Sequence, residues 1–210
     1  MTELLYLPDN DYETSFSATA TTVTSSDRDG CDGVVVLDRT LFYKEGGGQP
    51  ADHGVLRSDG SSCQVVDVQK DHGEVRHFVR GDVPSEGEAV SGEIDWERRY
   101  AHMRMHTAQH VVSWEALQLF DASTAGNQIH ASESRIDLAP VSLDEDGIRW
   151  LESAVNDVID EDRDVVKEEM SRDVVESRVV DGRTNLELIP DSVDPLRVVE
   201  IGGVGLLSLL

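Results

Sequence analysis

The chain has 210 residues and a formal net charge of −24, and only three of its 18 basic residues are lysines. This length predicts one large domain or two small ones, and the absence of 18 consecutive apolar residues excludes a typical membrane-spanning helix. An acidic surface repels nucleic acid, but acidity with few lysines is also typical of halophilic proteins. In molar salt the Debye length falls to about 3 Å. We favour the halophilic interpretation, under which RNA is a compatible partner through local arginines, shape and hydrogen bonds.

The start of the chain and the cysteines indicate the compartment. Residues 1–8 lack a basic segment followed by an apolar core, so they do not predict a secretory signal. Two cysteines, Cys31 and Cys63, do not form a disulfide framework. We therefore expect a cytoplasmic protein.

Residues 1–95 are predicted to form a small β-barrel domain. Short alternating or β-branched runs are separated by turn residues at nearly regular spacing, a pattern typical of such barrels. The six predicted strands are Glu13–Val23, Gly33–Leu37, Gly54–Arg57, Cys63–Gln69, Glu74–Arg80 and Ala89–Ile94.

Residues 96–210 are predicted to form a second, α+β domain, because the apolar period changes to that of a helix at Trp96. A second helix is predicted from a capping box at Ser142 and Glu145. Its apolar stripe is Ile148, Leu151, Val155, Val158 and Ile159. The predicted elements are a helix Trp96–Phe120, a strand Asn127–Leu138, a helix from Ser142 to about Met170, and strands Leu186–Ile189 and Leu196–Ile201.

A histidine motif lies on the first predicted helix. His106 and His110 are four residues apart, so their imidazoles share one face and can bind one Zn²⁺. His102 lies four residues before His106 and makes a second, overlapping pair. Spacing alone does not choose between the pairs, and a polar, partly buried helix face would give the same pattern.

A glycine motif covers Thr40–Gly54 and contains three consecutive glycines. Glycine lets the backbone approach a ligand closely. No Gly-Lys-Ser/Thr sequence follows, so the motif is not a nucleotide-binding P-loop. The alternatives are a barrel turn and a ligand-contacting loop. The flanking Phe42, Tyr43, Glu45, Gln49 and Asp52 favour the loop.

Five segments occur together in one order: Thr40-Leu-Phe-Tyr with Gly46-Gly-Gly-Gln-Pro, His106-Thr-Ala-Gln-His110, Gly126-Asn-Gln-Ile, Ser134-Arg-Ile-Asp137, and Leu196-Arg-Val-Val-Glu-Ile-Gly-Gly203. In this combination the chain resembles the freestanding alanyl-tRNA editing proteins, the AlaX family, which are similar to the editing region of alanyl-tRNA synthetase. The resemblance covers about residues 5–204.

The resemblance implies an α+β fold, a β-barrel followed by an editing domain of the threonyl/alanyl-tRNA synthetase type. It implies hydrolysis of Ser-tRNA(Ala), and also of Gly-tRNA(Ala). The implied partner is the acceptor end of tRNA(Ala) carrying a misacylated amino acid, without DNA or membrane. The implied cofactor is zinc, bound by His106 and His110 with His102 as an accessory.

The resemblance also suggests residues near the substrate. Thr124 and Gln128 are candidate catalytic residues that would bind the seryl hydroxyl, with Ser123 as a further candidate. His130 is a candidate for a third, improvised metal ligand on its residue type alone, and the family gives no support for it. The residues expected near the substrate or tRNA are Thr40, Gly46, Gly47, Gly48, Gln49, Asp52, Asn127 and Arg135.

In the family a late Cys-Gly-Gly-Thr-His segment completes the zinc shell, and it should begin shortly after Gly203. This sequence instead ends in Gly-Leu-Leu-Ser-Leu-Leu210. We expect a truncation or frameshift at this end. The alternatives to an active hydrolase are a truncated or defective homologue that binds tRNA without zinc-dependent catalysis, and a noncatalytic module that binds RNA or another partner.

Overall fold

The computed structural model describes residues 1–7, 12–178, 186, 189, 191 and 193–209, the last five by backbone alone. The chain forms two compact units. The first comprises Met1–Met103 with Ile129–Glu133, and the second comprises Arg104–Gln128 with Ser134–Leu210. The division falls within the first helix, and the domain boundary expected at residues 95/96 stays a prediction. None of the helices in the described ranges has the length and apolarity needed to cross a membrane.

The first unit contains a closed six-stranded barrel with strand order β2-β3-β7-β6-β5-β8, and a short parallel pair, β1 with β4. The strands are β1 Glu3–Leu4, β2 Ser15–Thr24, β3 Gly33–Leu37, β4 Arg39–Thr40, β5 Gly54–Ser58, β6 Ser61–Asp71, β7 Glu74–Gly81 and β8 Ala89–Ile94. The predicted six-stranded barrel is therefore confirmed.

Alternating side chains fill the barrel core. On β6, Cys63, Val65 and Val68 are buried, and a register shift between Val65 and Asp67 interrupts the alternation. Gly54, at the end of the glycine motif, has no room for a side chain. A Cβ there would lie 2.2 Å from the Glu93 carbonyl oxygen. This close approach fixes the end of the motif against β8.

The second unit combines helices with two small antiparallel sheets, β9-β10 and β11-β12-β13. Its apolar side chains form two clusters, one around Val111, Val158 and Ile201 and one around Val175 and Leu196. The elements from residue 96 onward are α1 Trp96–Phe120, β9 Ser123–Gln128, β10 Arg135–Ala139, α2 Glu145–Asp160, β11 Val165–Met170, α3 Arg172–Arg178, β12 Leu196–Ile201 and β13 Gly205–Leu209. The α+β assignment is confirmed.

Two predictions in this part were wrong. The single strand predicted at Asn127–Leu138 is a hairpin, in which β9 pairs with β10. The helix predicted from Ser142 begins later, and its N-cap is Asp144, whose carboxylate accepts a hydrogen bond from the Gly147 amide. Asp caps a helix as well as Ser does, so composition alone did not choose between the two positions.

The second helix also ends earlier than predicted. It ends at Asp160, and Val165–Met170 forms β11. Helix α3 and strand β13 were not predicted. The strand predicted at Leu196–Ile201 is confirmed, whereas the strand predicted at Leu186–Ile189 falls mainly outside the described residues.

Candidate functional site

The histidine pair lies on the part of α1 that belongs to the second unit. The rings of His106 and His110 are nearly parallel, 19° apart in plane, with their centroids separated by 5.0 Å. Both side chains are half-buried. Burial lowers the pKa of His106, which favours the neutral imidazole that metal ions bind.

Polar side chains of β9 are hydrogen-bonded to the same helix within the second unit. The Asn127 amide donates to Gln109 Oε1 at 2.8 Å. The Ser113 hydroxyl donates to the Gln109 carbonyl at 3.0 Å and lies 2.7 Å from Thr124 Oγ1. Since Ser113 has one hydroxyl proton, Thr124 donates to Ser113 and keeps its own lone pairs as acceptors.

The remaining candidates of this hairpin are exposed. Gln128 pairs in register with Arg135, and both side chains face solvent. The Arg135 guanidinium forms an ion pair with Asp137 at 3.3 Å. Thr124 and Asn127 are thus held against α1, whereas Gln128 and Arg135 are not. Their roles near a substrate stay predictions.

His106 and His110 are the expected zinc ligands among the described residues, and a catalytic zinc usually takes three protein ligands. Among the residues that the structure describes, no three His, Cys, Asp or Glu side chains are grouped so that they could hold a metal ion. A role of His130 as a further ligand stays a prediction.

The glycine motif forms a tight loop in the first unit. Gly46 and Gln49 exchange two backbone hydrogen bonds, of 3.1 and 3.0 Å. Gly47 and Gly48 have φ values of 61° and 80°, a region that favours glycine. The Gly48 carbonyl accepts a 2.9 Å hydrogen bond from the Ile129 amide. The loop is therefore fixed beside the segment that begins at Ile129.

Two buried polar pairs support this loop. Arg99 binds the Asp52 carboxylate through Nε, at 3.0 and 2.9 Å, and through Nη2. The same carboxylate accepts from the Tyr43 amide at 2.8 Å. Sequence reasoning missed Arg99, and no local pattern marks it. The sequence shows only that Arg99 belongs to an Arg-Arg pair near the start of α1 in a chain poor in lysine, which does not identify Asp52 as its partner.

The second pair joins Thr40 to His77, and both side chains are fully buried. His77 Nδ1 lies 2.9 Å from the Val35 carbonyl, which can only accept, so Nδ1 carries the proton. Nε2 then accepts from the Thr40 hydroxyl at 2.9 Å. Burial lowers the pKa of His77 to about 4. Thr40, like Asp52, is thus engaged inside the barrel unit, and its closeness to a substrate stays a prediction.

His102 lies in the first unit and is 1% exposed. Burial is the main cause of its lowered pKa, and the positive charge of Arg98 adds to it. Its Nδ1 is buried and has no hydrogen-bond partner among the described residues. The family resemblance implies that His102 is an accessory to the metal pair, and this role stays a prediction.

One family model matches the first part of this chain, and alanyl-tRNA editing proteins match nearly all of it. A family model described as tRNA synthetases class II (A) matches residues 5–98. The alanyl-tRNA editing protein AlaX-M of Methanosarcina barkeri is 39% identical over 97% of this chain and 84% of its own length. AlaX-M of Methanosarcina mazei is 37% identical over 97% of this chain and 82% of its own length.

Synthetases match over a shorter region. The alanine–tRNA ligase of Pyrobaculum calidifontis is 42% identical over 80% of this chain, and the match covers 19% of the ligase. The match thus spans most of the length of these AlaX-M proteins and about a fifth of the ligase. It therefore belongs to the AlaX family of alanyl-tRNA editing proteins.

Proposed function

We propose that the protein is a trans-editing hydrolase that deacylates Ser-tRNA(Ala), with Gly-tRNA(Ala) as a second substrate. The observation that carries this proposal is a likeness to alanyl-tRNA editing proteins over 97% of the chain. The histidine pair and its polar neighbours on α1 and β9 support it. tRNA(Ala) is the proposed partner.

The reaction is the hydrolysis of an ester. Water adds its oxygen to the seryl carbonyl carbon, the bond from that carbon to the ribose oxygen breaks, and the ribose oxygen takes the proton. Zinc would supply a Lewis acid for this chemistry, and His106 and His110 are its proposed ligands in this chain. What the described residues contribute on their own is recognition of the seryl group.

Serine differs from alanine by one hydroxyl, and an apolar pocket rejects that group poorly. A site that binds the hydroxyl selects serine instead. Thr124 suits this role because its proton is directed to Ser113, which lies 2.7 Å away. The Thr124 oxygen can then accept a hydrogen bond from a seryl hydroxyl, whereas the methyl side chain of an alanyl group has no donor.

The test compares deacylation of Ser-tRNA(Ala) and Ala-tRNA(Ala) by the chain, with and without added Zn²⁺. We expect Ser-tRNA(Ala) to be hydrolysed and Ala-tRNA(Ala) to be spared. Thr124→Val removes the hydroxyl at nearly constant shape, and we expect kcat/KM for Ser-tRNA(Ala) to fall about tenfold, the effect of one hydrogen bond. Thr124→Ser is the matched control, because it keeps the hydroxyl and should keep most of the rate.

The outcomes separate the candidate functions. Equal rates on the two aminoacyl-tRNAs would contradict the proposed specificity. Binding of tRNA(Ala) without deacylation in either metal condition would contradict the hydrolase. The chain would then be a noncatalytic homologue that binds tRNA.

A further inference from the structure

A cluster of basic side chains in the first unit has no place in the hydrolysis described above. It consists of His53, Arg98, His102 and His130, called here the basic cluster. All four residues belong to the unit formed by Met1–Met103 and Ile129–Glu133. Such a grouping is unexpected in a chain with a net charge of −24, where basic groups would ordinarily pair with the abundant carboxylates.

Hydrogen bonds and helical spacing place three members of the cluster, His53, Arg98 and His102, near one another. The Asp95 amide donates to the His53 carbonyl at 2.8 Å, which ties His53 to the start of α1. Arg98 Nε donates to the Ala51 carbonyl at 3.2 Å, so the guanidinium lies beside the same segment. His102 follows Arg98 by four residues on α1 and therefore shares its face.

The pKa values of His53 and His102 are lowered by the same causes. Burial is the main cause of the lowered pKa of both His53 and His102, and the positive charge of Arg98 lowers each further. His130 and His53 also lower the pKa of His102. Protonated forms of these side chains would therefore repel one another and Arg98, and a bound anion would stabilise them.

Three carboxylates face the cluster, and each is engaged elsewhere. The negative charges of Asp52, Asp67 and Asp95 raise the pKa of His53. The charge of Asp52 also raises the pKa of His102. Asp52 is bound to Arg99 and Asp67 to Arg28. Asp95 caps α1 by accepting from the Arg98 amide at 3.1 Å. None of them neutralises the Arg98 guanidinium.

Arg98, His53 and His102 keep polar atoms that form no hydrogen bond with other described residues. Within the described ranges, Arg98 forms no ion pair, and the His53 side chain makes no hydrogen bond. His102 is 1% exposed, and its Nδ1 has no hydrogen-bond partner among the described residues. A buried polar atom without a partner destabilises the fold. These side chains are arranged for a ligand that offers several oxygen acceptors and negative charge.

We propose that the basic cluster binds one phosphate group of RNA. A phosphate offers several oxygens to donors that come from different elements, and a guanidinium beside imidazoles matches that geometry. The assignment of this phosphate to RNA rests on the proposed function, because tRNA is the proposed substrate and its nucleotides are joined by phosphodiesters. Inorganic phosphate has the same chemistry and is the alternative ligand.

The experiment measures the affinity of the chain for uncharged tRNA(Ala) as a function of salt. Arg98→Gln should weaken binding about tenfold and reduce the slope of log affinity against log salt by about one. Arg57→Gln is the matched control, because Arg57 is a half-exposed barrel arginine paired with Glu93. His53→Gln is a second variant. It removes no hydrogen bond between described residues, so it tests the cluster even where Arg98→Gln perturbs folding.

A second arm titrates inorganic phosphate and follows the histidine ring signals by NMR. We expect the signals of His53, His102 and His130 to shift. The signal of His72, whose side chain is 94% exposed, should stay in place. Shifts in these rings together with weaker tRNA binding by both cluster variants support the proposal.

Unchanged tRNA affinity in Arg98→Gln and His53→Gln, without phosphate-induced shifts, overturns the proposal. Phosphate-induced shifts with unchanged tRNA affinity support a phosphate site but overturn its assignment to RNA. Uncharged tRNA carries no aminoacyl ester, so these results are independent of deacylation. A chain that binds tRNA through the cluster but hydrolyses nothing would fail only the proposed function.

Discussion

The two units of the protein bury different kinds of side chain. Among the described residues, buried polar or charged groups are concentrated in the barrel unit: Thr2, Thr40, Gln49, Asp52, His77, Arg99 and His102, against Ser113 and Arg197 in the second unit. Buried hydrogen-bonded groups specify one arrangement but make each member costly to remove. The second unit relies on small apolar clusters, so substitutions there should have graded effects.

The largest effect is expected at the buried ion pair of the barrel unit. Asp52→Ala leaves the Arg99 guanidinium buried without its carboxylate, since the side chains are 0% and 3% exposed. We expect the free energy of unfolding to fall by about 4 kcal/mol, measured by urea denaturation. Adding Arg99→Met should restore much of the loss, because the unpaired charge is then gone. A loss below about 1 kcal/mol in the single variant would mean that solvent reaches the pair.

The two units also differ in how well the sequence predicted their elements. The barrel strands alternate with a period of two and are bounded by Gly, Asp and Ser, so Gly33–Leu37 and Ala89–Ile94 were predicted to the residue. The hairpin β9-β10 was missed because its connection, residues 129–134, contains neither Gly nor Pro. Helix α2 was extended too far for the same reason, since no Gly or Pro lies between Asp160 and β11.

The candidate site was predictable where it is local. The stacking of His106 and His110 follows from their spacing on one helix. The pairing of Asp52 with Arg99 joins residues 47 positions apart, and the basic cluster joins residues from three segments. Long-range pairing of this kind leaves no periodic trace in one sequence. Only the folded chain brings these groups together.

A smaller loss of stability is expected at acidic pH, through the protonation of His77. Burial lowers the pKa of this imidazole to about 4, against about 6.5 in an unfolded chain. Between these values the unfolded state binds more protons, so stability is full above pH 6.5 and falls as the pH falls toward 4. The His77 contribution at pH 4 is a loss of about 3 kcal/mol relative to pH 7.

The measurement compares unfolding free energies from pH 7 to pH 4 in the wild type and His77→Gln. The variant should have a flatter profile, although it is less stable at pH 7 because the hydrogen bonds to Val35 and Thr40 change. His72→Gln is the control, because its side chain is 94% exposed. Parallel profiles for the wild type and His77→Gln would show that His77 is not the group that titrates.

The smallest effects are expected on α2, where one predicted stripe divides into buried and exposed positions. Val158 is 7% exposed and packs in the cluster with Val111 and Ile201, whereas Ile148 is 54% exposed. Val158→Ala removes two buried methyl groups and should lower the free energy of unfolding by about 2 kcal/mol. Ile148→Ala should change it by less than about 0.5 kcal/mol.

Urea denaturation of the two variants measures this difference directly, since both truncate a β-branched side chain of one helix to alanine. A comparable loss in Ile148→Ala would mean that the exposed side of α2 is covered in solution. A negligible loss in Val158→Ala would mean that the apolar cluster relaxes around the cavity. The second unit would then differ from the barrel unit even more than its smaller number of buried polar groups among the described residues indicates, because its packing would tolerate change at its centre.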